Sequence, residues 1–132
     1  MLFTPNGFLK VGGIILVLVG ILGMAGLIGP TAEDSIFGAS WYFDDAENWA
    51  HLILGIVGLL AAFVLKAGMQ KTLVMLLGLV GIFFAVYNVF STTFMAANLE
   101  SPADLILHLV VGVWALYASM RKGGAGAPMM TA

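Results

Sequence analysis

G-F-L-K-V-G-G-I-I-L-V-L-V-G-I-L-G-M-A-G-L-I-G, residues Gly7–Gly29, holds one charge in its whole length. A bilayer core of about 30 Å is crossed by roughly 20 apolar residues at about 1.5 Å each. The stretch meets that length, and its apolar run from Val11 to Ile28 exceeds the roughly 7–15 residues of a signal-peptide core. The same test applied outward along the chain finds three more spans, Glu47–Leu65, Thr72–Phe90 and Pro102–Met120. None alternates in polarity as a barrel strand does. Backbone amides in lipid must be paired within the segment, so each span is expected to be a helix. The fold class expected is an all-α membrane protein, a four-transmembrane-helix bundle over residues 1–122. A Gly/Ala/Pro-rich flexible tail, Gly123–Ala132, is expected to follow.

Composition agrees. Of 132 residues, 61% are hydrophobic and 9% charged, too few charges to clothe a water-soluble surface, where about a quarter is usual. Cysteine is absent, which excludes disulfides and thiolate metal sites. The few charges are sorted. Lys10, Lys66, Lys71, Arg121 and Lys122 all fall at one set of span ends. Glu33, Asp34, Asp44, Asp45, Glu47, Glu100 and Asp104 fall at the other. By the positive-inside rule the lysine end, with both termini, is expected in the cytoplasm, and the acidic end outside. A bacterial-type inner membrane is the expected location. Trp41, Tyr42 and Trp49 are expected to contribute to an outer aromatic belt. Trp114, deep in the fourth span, is expected to face lipid or another subunit. The inner connection is expected to be a tight hairpin, Lys66–Lys71. The outer ones are Pro30–Asp45, with Ile36–Phe43 along the interface, and Ser91–Ser101.

The halves resemble each other. L-V-G-I occurs at Leu18–Ile21 and Leu79–Ile82. E-N-W-A-H-L-I-L-G-I-V-G-L-L-A from Glu47 aligns with D-L-I-L-H-L-V-V-G-V-W-A-L-Y-A from Asp104. Glu47 then matches Asp104, His51 matches His108, and Gly55 matches Gly112. The expected arrangement is two parallel-repeat helical hairpins. Steps of three and four place Glu47, His51, Gly55, Gly58 and Ala62 on one face, and Asp104, His108, Gly112, Ala115 and Ser119 on the equivalent face. Small faces permit close helix approach in lipid. Gly20, Gly23 and Gly26 in the first span, with Gly78 and Gly81 in the third, suit the same role.

An ionisable group inside a span is a functional candidate. His51 and His108 are expected about one turn inside the outer end, at a depth comparable to that of Tyr87 and Asn88, and the inner two-thirds of the spans is almost wholly apolar. Three readings follow. In the structural one, Asp44-Asp45-Ala46-Glu47 and Ser101-Pro102-Ala103-Asp104 are helix caps, and each histidine donates to the acid one turn before it or to Asn88. In the second, Glu47, His51, Asp104 and His108 hold a divalent metal. In the third, His51 and His108 bind a haem or a chlorophyll-type pigment, although the outer half lacks the cations that haem propionates favour. No serine–histidine–acid spacing or phosphate loop is legible, so an enzyme is not expected, and no nucleic-acid surface is present.

N-W-A-H-L-I-L-G at Asn48–Gly55 and A-D-L-I-L-H-L-V-V-G at Ala103–Gly112 resemble the N-x-x-H-L-x-x-G-type segments in helices 2 and 4 of a family of small four-helix bacterial membrane proteins of unknown function. Leu105 stands where that pattern tends to have asparagine. The resemblance implies the fold and an inner-membrane location, and no activity. The function expected is a structural or accessory subunit in the lipid bilayer, homo-oligomeric or joined to other membrane subunits. The alternative is a metal- or cofactor-binding protein using the paired acid–histidine site.

Overall fold

The structure, a computed structural model, describes residues 1–122; the Gly123–Ala132 tail lies outside the described residues. Among them are four long helices, α1 (Pro5–Met24), α2 (Asp45–Val64), α3 (Ala67–Phe90) and α4 (Ala103–Met120). All four are long and apolar enough to cross a membrane. A 3₁₀ turn at Gly38–Ser40 lies in the loop between α1 and α2, and a two-residue ladder, β1 (Thr93–Phe94) with β2 (Ala97–Asn98), forms in the loop between α3 and α4.

Local chemistry sets the helix ends. Thr4 caps α1 by accepting from the Gly7 amide at 3.1 Å, with Pro5 in the first turn. The helix stops at Met24, not at Gly29, because Gly26 takes a left-handed φ of +81°. That reversal lets the Leu27 amide return to the Leu22 carbonyl at 3.1 Å. Apolar residues 25–29 therefore lie outside the helix. The connection between α2 and α3 is shorter than expected. It is Leu65–Lys66 alone, and Lys71 is already helical.

The helices pack as two antiparallel pairs, α1 with α2 and α3 with α4. Backbone meets backbone at both crossings. A Cβ on Gly55 would stand 2.7 Å from the Val17 nitrogen and 2.8 Å from the Gly13 carbonyl. A Cβ on Gly112 would stand 2.8 Å from the Ile82 nitrogen and 3.1 Å from the Gly78 carbonyl. Leu59 covers Gly13, and Leu116 covers Gly78. The glycine faces are thus occupied within each pair.

The pairs meet at the lysine end, where Phe8, Leu9, Ala61, Ala62, Val74, Ala115 and Ala118 form the buried apolar cluster. Trp114 packs against it. Its ring meets Phe8 edge-on at 4.6 Å, and its Nε1 donates to the Leu2 carbonyl at 2.8 Å. Trp114 is half-buried, and the rest of its ring lines an open surface groove.

The lysine end also holds a polar group that hydropathy concealed. Gln70 is buried, and its Nε2 donates to Ala62 O at 3.0 Å and Leu65 O at 2.9 Å. These are carbonyls at the α2 C-terminus, which have no helical partner of their own or only a shared one. Asn6 adds a bond to Ala62 O at 2.7 Å and one to Gln70 Oε1 at 3.3 Å. The lysine end is not wholly apolar, because a helix ending within two residues of the next needs donors for its last carbonyls.

Candidate functional site

The polar residues of the acidic end come from both hairpins and from the α1–α2 and α3–α4 loops. Asp44 and Glu47 form a reciprocal capping box on α2. Asp44 Oδ1 accepts from the Glu47 amide, and Glu47 Oε2 from the Asp44 amide, both at 3.0 Å. The cap expected at Ser101–Asp104 differs. Pro102 is the N-cap and makes no side-chain cap bond. Asp104 instead reaches back, and its Oδ2 accepts from the Glu100 amide at 2.7 Å. Proline at the N-cap brings no side-chain acceptor, so the acid two residues later serves the preceding turn.

Each first-turn carboxylate region also reaches across to the other half. The Trp41 indole donates to Asp104 Oδ1 at 2.9 Å. The Asn98 amide donates to Asp44 Oδ2 at 2.6 Å, and Asn98 Nδ2 donates to the Tyr42 hydroxyl at 3.2 Å. Asn98 Nδ2 also bonds Glu100 Oε1. Trp41 and Tyr42 belong to the first loop, Asn98 and Glu100 to the second. The bonds therefore run in both directions and clasp the hairpins together. Trp41, expected as belt, is a donor within this clasp, whereas Trp49 is exposed. Ile36 and Phe37 are exposed at the surface of the first loop, but Phe43 is buried.

Two asparagines support the loops from beneath. Asn48 Nδ2 donates to the Phe43 carbonyl at 2.9 Å. Asn88 Nδ2 donates to the Leu99 carbonyl at 3.1 Å and to Ser91 O at 3.2 Å. Phe43 and Leu99 each end the loop just ahead of α2 and α4, where the chain turns into the returning helix.

Each histidine sits against an aromatic ring of its own half. His51 meets Phe43 edge-on at 5.5 Å, and His108 lies tilted on Phe84 at 5.4 Å. His108 Nδ1 is 2.8 Å from the Asp104 main-chain carbonyl, so Nδ1 carries the proton and donates. The expected partner was the carboxylate, which Trp41 and Glu100 occupy instead. His51 Nδ1 is buried and has no hydrogen-bond partner among the described residues.

Among the described residues, no group of three or more histidine, aspartate or glutamate side chains is placed to hold a metal ion. The physical reason is local. Glu47 and Asp104 turn to backbone amides at their own helix starts, where the macrodipole favours negative charge. Two grooves with small polar content, about 400 and about 370 Å³, lie elsewhere. One is lined by residues such as Leu65, Met69 and Leu76, the other by Phe3, Val113 and Tyr117.

Outside the spans, two groups have displaced proton affinities. Burial, then the Glu100 charge, pushes the Tyr42 hydroxyl up. Burial, then the hydrogen bond with Asp104, pushes the Glu100 carboxyl up to about 7.

Sequence reasoning missed Asn98, Glu100, the clasp role of Trp41 and the capping role of Gln70. Only Glu100 carried a signal, as a carboxylate one turn before Asp104. Comparisons with protein-family models, curated proteins and solved structures find no match to this chain.

Proposed function

We propose that this chain is a structural or accessory subunit of a bacterial inner-membrane assembly, with its lysine end in the cytoplasm and no catalytic role of its own. The observation that carries this reading is the use made of the acidic end. Asp44, Glu47 and Asp104 are hydrogen-bonded to backbone amides and to Trp41. Their geometry serves to join helices and loops. Sorted charge supports the orientation, since all five basic residues lie at one set of helix ends.

The two hairpins are proposed to be parallel repeats. Gly13, Val17, Gly55 and Leu59 make contacts of the same kind as Gly78, Ile82, Gly112 and Leu116. The second and fourth helices keep the register in which His51 matches His108. The first and third do not keep the register of L-V-G-I, which shifts by one helical turn. Gly23 then corresponds to Asn88, and Asn48 to Leu105. The loop-supporting asparagine sits on the returning helix in one half and on the outgoing helix in the other. This accounts for the departure at Leu105 from the family pattern that the segments resemble.

Self-association falls to exposed large side chains such as Ile56, Leu60 and Phe63 on α2 and Phe83, Val86 and Phe90 on α3, because the glycine faces are already filled. The test is one purified sample measured for mass in detergent, bound metal and visible absorption. A homo-oligomer, or co-purification with a stoichiometric membrane partner, free of metal and pigment is the expected result. A monomer without partners counts against the subunit reading. Stoichiometric metal, or a haem or pigment band lost in His51→Ala and His108→Ala, overturns it in favour of cofactor binding.

A further inference from the structure

A groove of about 370 Å³ opens on the α4 surface toward the lysine end, lined by Phe3, Leu109, Val110, Val113, Trp114 and Tyr117. The α4 members recur at helical spacing, so the groove follows the helix axis. Its wall offers apolar surface. The Trp114 indole N–H is already given to the Leu2 carbonyl at 2.8 Å, and Phe3 meets Tyr117 edge-on at 5.5 Å. From Leu109 to Tyr117 the helix rises about 12 Å, at about 1.5 Å per residue. One leaflet is half of a bilayer core of about 30 Å. The groove thus has the length of one leaflet and ends where the basic residues begin. There the Arg121 guanidinium lies over the Tyr117 ring, 5.5 Å from its centroid. No aspartate or glutamate lies at this end of the helices.

We propose that this groove holds one anionic phospholipid, with an acyl chain along α4 and the phosphate on Arg121. The site rests on the reading above that places the lysine end at the cytoplasmic face of a membrane. An apolar wall takes an apolar body, and a cation without a carboxylate takes an anion. A single amphiphilic anion supplies both. Guanidinium suits phosphate because its planar fork can donate two parallel hydrogen bonds. The stack on Tyr117 holds that fork in place before the lipid arrives, and tyrosine itself favours the headgroup level. A helix from a second copy fits less well. A rod about 10 Å across and as long as the groove has more than twice the groove's volume.

The two parts of the site do different things. Lipid tails are as apolar as the groove, so the chain contributes position and little selectivity. Selectivity falls to the headgroup, where one arginine near an anionic lipid is worth about fivefold in affinity. Filling the groove should therefore exclude every lipid, whereas removing the arginine should remove only the preference for the anionic one.

The experiment titrates the full chain, purified in mild detergent, with phosphatidylglycerol or with phosphatidylcholine of the same chains. Native mass spectrometry counts bound lipid and reads the oligomer. The wild type is expected to bind one phosphatidylglycerol per chain, at least about fivefold tighter than phosphatidylcholine. Arg121→Gln is expected to lower phosphatidylglycerol affinity about fivefold and leave phosphatidylcholine unchanged. Val113→Trp, at an exposed groove residue, is expected to abolish the bound lipid with either headgroup. Lys71→Gln removes an exposed charge on α3 at the same end and is expected to change nothing. Equal wild-type affinity for the two lipids overturns the proposal. So do equal losses in Lys71→Gln and Arg121→Gln, which would show a diffuse basic field. Glycerol phosphate binding as tightly as phosphatidylglycerol would show a free-anion site and also overturn it. So would a Val113→Trp protein that keeps its lipid but loses an oligomer, since a second copy then fills the groove. Should Val113→Trp not fold, the two charge variants decide. A monomer that keeps the phosphatidylglycerol preference sinks the subunit reading alone, and an oligomer without it sinks this proposal alone.

Discussion

Replacing Gly112 by alanine is expected to destabilise the protein by roughly 3 kcal/mol, at the upper end of the ordinary overpacking cost. The added Cβ would lie 2.8 Å from the Ile82 nitrogen and 3.1 Å from the Gly78 carbonyl. Both are main-chain atoms, so no rotamer change can make room, and α3 and α4 must separate. Gly55→Ala is expected to behave alike, since its Cβ meets the Val17 nitrogen at 2.7 Å and the Gly13 carbonyl at 2.8 Å. Gly68→Ala is the control. It meets nothing within 4 Å, and in a helix alanine gains up to about 1 kcal/mol over glycine. Reversible unfolding in mixed detergent ranks the three. Equal losses at Gly68 and Gly112 would show that the crossing is not where the helices touch.

Exchanging an asparagine between helices is expected to rescue its own loss. Asn48→Leu removes the donor to the buried Phe43 carbonyl, at a cost of about 1–3 kcal/mol. Gly23→Asn alone is expected to be worse, because even a Cβ there falls 1.8 Å from Asn48 Oδ1. Combined, the two changes rebuild the arrangement of Asn88 and Leu105, with the amide now supplied from α1. The double variant is expected to be more stable than either single one, which is strong non-additivity between contacting sites. Three unfolding curves decide it. A double variant as poor as the sum of its parts would reject the proposed correspondence of Gly23 with Asn88.

Hydropathy made the four helices legible, because length and continuous apolarity are properties of single segments. It misjudged where α1 ends and where α3 begins. Residues 25–29 are apolar yet non-helical, and only the left-handed Gly26 marks the stop. Residues 67–71 include Gln70 and Lys71, so they looked like loop, but Gln70 is needed in the helix to meet the α2 carbonyls. At the acidic end the spacing of Asp44 and Glu47 declared the capping box. The acid–histidine repeat was equally plain, but its meaning was not. Where the carboxylates of Asp44 and Asp104 turn depends on Trp41 and Asn98, two loop residues whose partners are more than fifty positions away in sequence. No periodic pattern encodes such a bond. Gly20, Gly23, Gly78 and Gly81 serve as packing faces as expected, whereas Gly26 lies beyond the end of α1 and packs against no helix; spare faces for partners did not follow, since each crossing occupies them.

The claim that the acidic end exists to join two hairpins rests on the cross-half bond from the Trp41 indole to Asp104. A double-mutant cycle with Trp41→Phe and Asp104→Ala, read by unfolding free energy in lipid-like detergent, measures that bond alone. A hydrogen bond to a charged, buried partner predicts a coupling of about 1.5–3 kcal/mol. A coupling indistinguishable from zero would mean the hairpins are not held there.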